Sequence, residues 1–252
     1  MKKKVIPIVE RTYDENKYRD LLAMPFAHRG VHDEYPENSL PAFEKAVSLN
    51  LGIELDIHLS KDKQLVVFHD DNLLRMTGVD KHIRHLTYSA IKTYKLNNTS
   101  QSIPLLKDVL ELVKGKVPIL IEIKSNNKIK QLVPELKQLI AGYEGVVFVQ
   151  SFNPFALRKC YKQMPSILRG QLSSFFAGDK LSYLKKIAIK KLFFKNYSHI
   201  DFVSYNLNYL PNKYVDNVNV PVLAWTVRTE KDYLKAQQNA NNIITDNVEV
   251  LK

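Results

Sequence analysis

The sequence predicts a TIM (β/α)8 barrel built as a single domain. Eight short apolar runs alternate with longer segments of helical pattern, as successive βα units require. Several runs are continuously apolar, which is expected for parallel strands covered on both faces. Eight such units in 252 residues match the size and order of a barrel. An open doubly wound sheet is disfavoured because no Gly-x-Gly-x-x-Gly follows any run.

The predicted elements follow one another along the chain. The strands are predicted at residues 24–28, 52–59, 117–124, 145–150, 166–172, 199–205, 220–227 and 242–245. Ser39 is placed as the N-cap of one helix, and Asn153 precedes Pro154 as the cap and first residue of another. Two further helical patterns end at Gly115 and Gly142.

Two segments depart from the simple repeat. The connection between the second and third predicted strands, residues 60–116, is much longer than an ordinary βα link. Long connections at the carboxyl ends of barrel strands commonly carry function. We expect residues 1–23 to form an N-terminal extension and residues 24–252 to form the barrel.

Composition excludes several classes of protein. With 45% hydrophobic residues the chain can bury a large core, yet no stretch approaches the roughly 18 apolar residues of a membrane span. The basic start MKKK leads into an apolar run that Glu10 and Arg11 end too early for a signal peptide. The single Cys160 allows no intramolecular disulfide. We therefore predict a soluble, cytoplasmic protein in which Cys160 is a small buried side chain.

The formal charge of +11 favours anionic partners without saying which. One segment, residues 180–195, places six lysines among apolar residues and resembles a basic membrane-surface helix. At 100° per residue its lysines do not separate cleanly from its leucines and isoleucines. We leave open a weak contact with an anionic membrane surface.

Carboxylates gather at the predicted strand ends. In an extended strand Glu54, Asp56 and His58 point to one face, while the apolar neighbours point to the other. The third predicted strand has the same pattern, with Glu122 and Lys124 on one face. Unless this is a solvated edge face, two carboxylates so placed need a cation between them. Glu54, Asp56 and Glu122 would supply oxygen ligands that suit one divalent cation, Mg²⁺ or Ca²⁺.

Two histidines follow apolar runs at the same predicted rim. His28 ends the first strand, and His69 ends the run QLVVFH. A single histidine in such a place is more often structural, but two of them beside Arg29 and Lys124 suggest a general acid and base next to phosphate-binding cations. The remaining candidates lack such a setting and are expected to be surface or structural histidines: His32, His82, His85 and His199.

A specific order of motifs runs through the chain. The motifs are HRGVHDEYPENSLPAFEKAV, GIELDIHLSKDKQLVVFHDDNLLRMTG, IPLLKDVLELVKGKVPILIEIK, VFVQSFNP, LAWTV and IITD. In this order they resemble the glycerophosphodiester phosphodiesterase family over nearly the whole chain after residue 23. The resemblance implies a TIM barrel that uses a divalent metal to hydrolyse glycerophosphodiesters to sn-glycerol 3-phosphate and an alcohol.

The resemblance also implies residue roles. By position His28 and His69 match the family's acid/base histidines, and Arg29 matches its phosphate-binding arginine. The metal ligands correspond to Glu54, Asp56 and Glu122, with Lys124 close to the phosphate. The family further suggests attack by the substrate's own 2-hydroxyl to give a cyclic phosphate, although direct attack by metal-bound water stays open. Which histidine is the acid is not assigned.

One motif departs from the family pattern. The seventh predicted strand often ends Trp-Thr-Val-Asn in the family, whereas this chain has Arg228 after Trp225, Thr226 and Val227. Trp225 either lines the glycerol end of the substrate pocket or packs inside the barrel.

Two alternative functions remain. The first is a related barrel phosphodiesterase acting on intact phospholipid or a lipid-linked glycerophosphate polymer. The second is a non-catalytic barrel that binds phosphorylated ligands, although none of the candidate histidines or ligands is missing. Nucleic acid is not expected as a partner, because the paired carboxylates would repel its phosphate backbone. The sequence does not identify the alcohol, the cellular metal or the oligomeric state.

Overall fold

A closed barrel of eight parallel strands forms the centre of the molecule, as predicted. The computed structural model describes residues 13–124, 128–176 and 182–252. The strands are β1 (Phe26–His28), β2 (Gly52–Leu59), β3 (Leu65–Val67), β4 (Ile119–Ile123), β5 (Val147–Ser151), β6 (Arg169–Ser173), β7 (Phe202–Asn206), β8 (Val222–Val227) and β9 (Asn242–Thr245). The sheet order is β1-β9-β8-β7-β6-β5-β4-β2-β3, and a further pairing of β1 with β2 closes it. The extra strand β3 runs antiparallel to its neighbour β2.

Helices surround this barrel. The α-helices are α1 (Glu15–Leu22), α2 (Leu40–Ser48), α3 (Leu74–Thr77), α4 (Tyr88–Ile91), α5 (Leu106–Val113), α6 (Ile129–Ile140), α7 (Pro154–Gln163), α8 (Tyr183–Lys190), α9 (Lys195–Ser198), α10 (Lys213–Asp216) and α11 (Glu230–Asn239). Short 3-10 helices lie at Ile83–His85, Leu96–Asn98, Leu207–Tyr209 and Val248–Leu251. The two predicted caps are confirmed, since the Ser39 side chain accepts from the Ala42 amide and the Asn153 side chain from the Phe155 amide.

Six of the eight barrel strands begin two or three residues later than their apolar runs suggest, and in three of them proline is the reason. The predicted starts at 24, 117 and 220 each lie two residues before the observed starts. The intervening Pro25, Pro118 and Pro221 have no N–H to donate to a ladder. Their carbonyls do accept bonds from neighbouring strands, so each proline forms the entry to its strand.

The long connection after β2 is a folded unit. It contains β3, α3, α4 and α5, and most of it packs around a separate apolar cluster. That cluster consists of Val66, Phe68, Leu73, Met76, Ile83, Ile91, Leu96, Ile103 and Leu105. Because Phe68 is anchored in this cluster, the next residue, His69, is held at a fixed place at the rim.

The interior of the barrel is apolar at the amino end of the strands and polar at the carboxyl end. A buried cluster at the amino end joins Phe26, Phe148 and Phe202, and α1 contributes Tyr18 and Leu21 to it. Part of the predicted N-terminal extension therefore packs against the barrel, while residues 1–12 lie outside the described residues.

Two other sequence predictions concern burial. Cys160 is buried in α7, and burial raises the pKa of its thiol to about 12. Within the described ranges, none of the helices has both the length and the apolar character needed to span a bilayer. Lys180 and Leu181, at the start of the lysine-rich segment, lie outside the described residues, and the rest of that segment forms α8 and the beginning of α9.

Candidate active site at the carboxyl end of the barrel

Strand register brings the three predicted carboxylates together. Glu54 lies beside His28 across β1 and β2, and Asp56 lies beside Glu122 across β2 and β4. Carboxylate oxygens of Glu54, Asp56 and Glu122 all lie within 4.8 Å of one another. The three residues are only 1%, 1% and 8% exposed, so the alternative of a solvated edge face is wrong.

Two cations lie against this cluster. Lys124 Nζ is 3.1 Å from Asp56 Oδ1 and 2.9 Å from Glu122 Oε1. Arg29 Nε is 3.6 Å from Asp56 Oδ2, and the Arg29 amide donates to Glu54 Oε2 at 3.3 Å. Burial would raise the pKa of Asp56, but Lys124, His69 and Arg29 outweigh it and hold that pKa well below its usual range.

Glu54 has the opposite electrostatic balance. Burial, Asp56 and Glu122 together raise its pKa well above the ordinary value, and Arg29 and Lys124 do not offset them. The charges of this chain therefore leave the cluster short of positive charge. A divalent cation among the three carboxylates would correct that deficit, and an all-oxygen donor set is the kind that Mg²⁺ and Ca²⁺ prefer.

Buried amides fix the orientation of the carboxylates. Gln150 Nε2 donates to Glu54 Oε1 at 3.0 Å, and Ser204 donates to Gln150 Oε1 at 2.7 Å. Asn38 Nδ2 donates to Asp56 Oδ2 at 2.9 Å. Asn38 belongs to the first loop, between β1 and α2. Its contact with Asp56 adds a direct role in the site.

His28 is paired with a carboxylate from the far end of the sequence. Its Nδ1 lies 2.5 Å from Asp246 Oδ1, just after β9, the neighbour of β1. Because an ionised carboxylate only accepts, His28 donates through Nδ1, and Nε2 keeps its lone pair. Burial, aided by Arg29, lowers the pKa of His28 despite the opposing effect of Asp246. His28 Nε2 lies 4.0 Å from Glu54 Oε2.

Asp246 also contacts two residues that the sequence left without a role. Arg228 Nε lies 2.7 Å from Asp246 Oδ2, so the departure from the family's Trp-Thr-Val-Asn motif supplies a salt bridge at this rim. His32, expected to be surface or structural, has its Nε2 3.5 Å from Asp246 Oδ1. The histidines and Arg228 outweigh the effect of burial and hold the pKa of Asp246 far below its usual value.

His69 has a carboxylate partner of its own. Its Nδ1 lies 2.6 Å from Asp70 Oδ1, and Arg75 Nε donates to Asp70 Oδ2. Arg75 also makes two bonds to Glu37, which in turn accepts from Arg29 at 2.9 Å. This network joins the first loop to the long connection that carries His69.

His58 supports the same loop from inside the barrel. Its Nε2 lies 3.1 Å from the His69 carbonyl oxygen, which can only accept a bond. Burial lowers the pKa of His58 to about 4, so the ring is neutral at pH 7. A neutral ring that donates through Nε2 can hold the His69 backbone in place.

Trp225 lies at the end of β8 beside other aromatic rings. Its Nε1 donates to the Ser204 carbonyl at 3.0 Å, and its ring packs edge-on against Phe152 at 5.8 Å between centroids. Phe152 contacts Phe176 in the same way. Trp225 is only partly buried, so its ring both packs in the barrel and borders the rim.

The residues that orient the site were not predicted from the sequence. It grouped His28, Arg29, Glu54, Asp56, His69, Glu122 and Lys124, and the contacts above bring these seven to one end of the barrel. It did not identify Asp246, Asp70, Gln150 or Asn38. Asp70 could have been noticed beside His69, whereas Asp246 becomes a partner only when β9 closes the barrel.

Comparison with known proteins identifies the family. A model described as the glycerophosphoryl diester phosphodiesterase family matches residues 28–250. The chain belongs to this family. Its enzyme class is accordingly that of a glycerophosphodiester phosphodiesterase, a phosphoric diester hydrolase.

Relatives of known sequence and structure agree. A glycerophosphodiester phosphodiesterase of Bacillus altitudinis is 35% identical over 66% of this chain and 72% of its own length. Human lysophospholipase D GDPD1 is 36% identical over 61% of this chain, but the match spans only 52% of that protein. An Oleispira antarctica phosphodiesterase, solved with the product sn-glycerol-3-phosphate, superposes with a TM-score of 0.77 over 91% of this chain and 95% of its own, at 22% identity. At that identity the last likeness establishes the fold alone.

Proposed function

We propose that the chain hydrolyses glycerophosphodiesters to sn-glycerol 3-phosphate and an alcohol, with one divalent cation and a pair of histidines. The observation that carries the proposal is a buried cluster of three carboxylates, Glu54, Asp56 and Glu122. Lys124 and Arg29 lie against this cluster, and two histidine–carboxylate pairs lie beside it. Family membership supports the same reaction. The sn-glycerol-3-phosphate bound to the Oleispira antarctica protein agrees with the product.

Glu54, Asp56 and Glu122 would hold the cation. The raised pKa of Glu54 and the all-carboxylate donor set fit either Mg²⁺ or Ca²⁺. When bound, such an ion supplies Lewis-acid stabilisation of the negative charge on phosphate oxygens. Gln150 and Asn38 keep two of the ligands oriented by hydrogen bonds.

Arg29 and Lys124 bind the phosphate in this proposal. Among the described residues, Arg29 Nε is buried and has no hydrogen-bond acceptor within bonding distance, so it can donate to a substrate oxygen. Lys124 already bridges Asp56 and Glu122 and adds a positive charge beside them. The two cations position the phosphate and offset charge that develops during the reaction.

The two histidines move protons. Each donates through Nδ1 to an aspartate, so Nε2 is the nitrogen that serves the substrate. One ring takes the proton of the attacking oxygen as its bond to phosphorus forms. The other gives a proton to the alkoxide as the bond between phosphorus and the departing oxygen breaks. The attacker is either the substrate 2-hydroxyl, with water later opening the cyclic phosphate, or water directly.

Trp225 would border the glycerol or alcohol end of the substrate. Its partly exposed ring and the adjacent Phe152, packed edge-on against it, provide an apolar wall beside polar groups that bind the phosphate. A second candidate substrate is a lysophospholipid, as the name of the human relative suggests for that protein. The cytoplasmic location stays a prediction.

A substrate panel tests the proposal. Purified protein is assayed for release of glycerol 3-phosphate from glycerophosphocholine and glycerophosphoethanolamine, and of the lysophosphatidate from a lysophospholipid, with Mg²⁺, Ca²⁺ or chelator. We expect chelator-sensitive activity that falls on the order of 10²–10⁴-fold in His28→Ala and His69→Ala. His85→Ala, an exposed histidine of the long connection, is the control. Equal activity of His28→Ala and wild type would refute the assigned role.

A further inference from the structure

Large apolar side chains are exposed mainly in one region. Of the nine large hydrophobic residues exposed within the described ranges, five lie at the start of α7 or along residues 183–197. They are Phe155, Tyr183, Leu184, Phe193 and Tyr197. Tyr183, Leu184 and Phe193 are 75%, 78% and 74% exposed. Exposed apolar groups gathered in this way mark an interaction site more often than single scattered ones do.

Ring contacts join the start of α7 to the segment that leads into α9. Phe155 contacts both Phe194 and Tyr197, with ring centroids 6.0 and 5.8 Å apart, and Phe194 contacts Phe193 at 5.2 Å. The helix α8 has no buried residue, although five of its eight residues are apolar. We call Phe155 together with residues 183–197 the rim surface.

The rim surface is strongly basic. It carries Lys185, Lys186, Lys190, Lys191 and Lys195, and no acidic residue occurs from Ser182 to Ile200. Lys190 Nζ packs over the Phe175 ring at 3.6 Å, and Lys195 donates to the Asn217 carbonyl. Lys185 and Lys191 are exposed and Lys186 is partly exposed.

This surface lies at the same end of the barrel as the candidate active site. Ser173, the last residue of β6, donates to the Ile189 carbonyl at 2.8 Å. Tyr205, near the end of β7, donates to the Lys190 carbonyl at 3.0 Å. Phe155 is one residue into α7, just after β5 ends. The carboxyl ends of three successive strands thus position it.

We propose that the rim surface docks onto an anionic phospholipid bilayer and turns the mouth of the barrel toward it. Lysines attract the surface to acidic headgroups, and the exposed rings and Leu184 enter the interfacial region. The lysines and apolar residues of α8 do not form separate helix faces, as the sequence indicated. The docking surface is instead assembled from α8, α9 and the start of α7.

Charge and chemistry favour a bilayer over other occupants. In a symmetric dimer the same lysines would face one another, and the described rim surface has no acidic partner for them. Nucleic acid would account for the lysines but not for an aliphatic side chain as exposed as Leu184. An anionic bilayer satisfies both kinds of group.

Vesicle binding tests the proposal without relying on catalysis. The full-length protein is sedimented with vesicles of phosphatidylcholine plus phosphatidylglycerol and, separately, with phosphatidylcholine alone. We expect binding to the anionic vesicles that weakens as salt rises. Lys185→Gln/Lys186→Gln/Lys191→Gln should weaken it on the order of 100-fold, since each lysine near such a surface contributes about fivefold. Tyr183→Ser/Leu184→Ser/Phe193→Ser should reduce it at least tenfold.

Matched controls remove the same kinds of side chain elsewhere. Leu49→Ser/Leu74→Ser/Leu234→Ser and Lys107→Gln/Lys114→Gln/Lys137→Gln should bind the vesicles like wild type. Hydrolysis of soluble glycerophosphocholine and the thermal midpoint should stay unchanged in the rim variants, which shows that they fold. If neither wild type nor any variant hydrolyses glycerophosphocholine, the proposed function is wrong. Vesicle binding would then still decide the docking proposal.

Several outcomes would overturn the docking proposal. They are equal binding to both kinds of vesicle, binding that neither rim variant weakens, and binding that the controls weaken as much. Dimerisation in solution that the apolar rim variant abolishes, without vesicle binding, would assign the surface to a second copy. Binding of a single-stranded RNA through the same lysines, without vesicle binding, would assign it to nucleic acid.

Discussion

At the scale of single residues, Asp246 is placed to orient His28. Its carboxylate accepts from His28 Nδ1 and is itself held by Arg228. A carboxylate in this position fixes the tautomer and the ring orientation of a histidine. Asp246 therefore acts as a positioning residue, since its contacts are to His28, His32 and Arg228.

The variant Asp246→Asn tests this role. The amide can donate to His28 Nδ1 and so favours the wrong tautomer, and we expect kcat to fall on the order of 100-fold while KM changes little. Asp246→Glu should recover part of the loss. Asp71→Asn, which breaks a similar contact with His82, is the matched control and should be nearly as active as wild type. A rise in KM with unchanged kcat would contradict a positioning role.

The three carboxylates predict a response to metal that does not depend on activity. A cation that binds only the folded protein raises the midpoint of thermal unfolding. We expect Mg²⁺ or Ca²⁺ to stabilise chelator-treated wild type and to stabilise Glu54→Gln much less, because that variant lacks one ligand. The replacement also removes one of three crowded negative charges, so in chelator the variant should be at least as stable as wild type. Calorimetry measures the unfolding midpoint of both proteins with and without metal. Equal shifts of the midpoint in wild type and variant would argue against a metal site at these residues.

Some residues of the candidate active site could be predicted from the sequence, and others could not. Glu54 and Asp56 share a strand face, and periodicity alone puts them together. Gln150 and Asn38 carry no such signal, since an isolated amide in a sequence fits loops, caps and cores equally well. Their roles depend on strand register and on the turn after β1, where Arg29 and Gly30 both have positive φ.

At the scale of elements, the contact between the first loop and the long connection is electrostatic. Arg75 bonds both Glu37 and Asp70, and Glu37 also accepts from Arg29. Burial would raise the pKa of both carboxyl groups, but Arg75, Arg29 and His69 outweigh it and lower them. Carboxylates with lowered pKa stabilise the folded state above their unfolded pKa of about 4, and this contribution is lost as the pH falls further.

Arg75→Gln should therefore destabilise the protein in a pH-dependent way. At pH 7 we expect a loss on the order of 1 kcal/mol, a modest value because the Arg75 side chain is half exposed. The difference from wild type should shrink below about pH 4, where the two carboxylates become protonated. Urea unfolding at several pH values measures it, with the exposed Arg84→Gln as control. A difference independent of pH would mean that Arg75 acts through packing instead.

Element bounds show what sequence patterns can and cannot provide. Apolar runs located every barrel strand, because continuous burial on two faces leaves a clear signal. They did not identify β3, whose three residues are too few to establish a period. Because His69 lies two residues after β3, a strand that the sequence did not predict helps to place one of the candidate catalytic residues.

At the scale of the whole molecule, the two ends of the barrel have different tasks. The carboxyl end holds the charged cluster, the histidine pairs and the rim surface. The amino end is filled by apolar rings and covered by α1. In barrels of this kind, residues at the amino end chiefly support stability and those at the carboxyl end carry the chemistry.

Leu21 allows this division to be tested. It is fully buried and packs with Phe26, Phe148 and other core residues at the amino end, so Leu21→Ala should cost about 2–5 kcal/mol of unfolding free energy. Because the candidate active site lies at the opposite end of the strands, kcat and KM at a temperature where the variant is folded should match wild type. Leu22→Ala, next to it but only partly buried, should cost clearly less and serves as control. If Leu21→Ala lowers kcat at full folding, the ends of the barrel are coupled and α1 contributes to the geometry of the site.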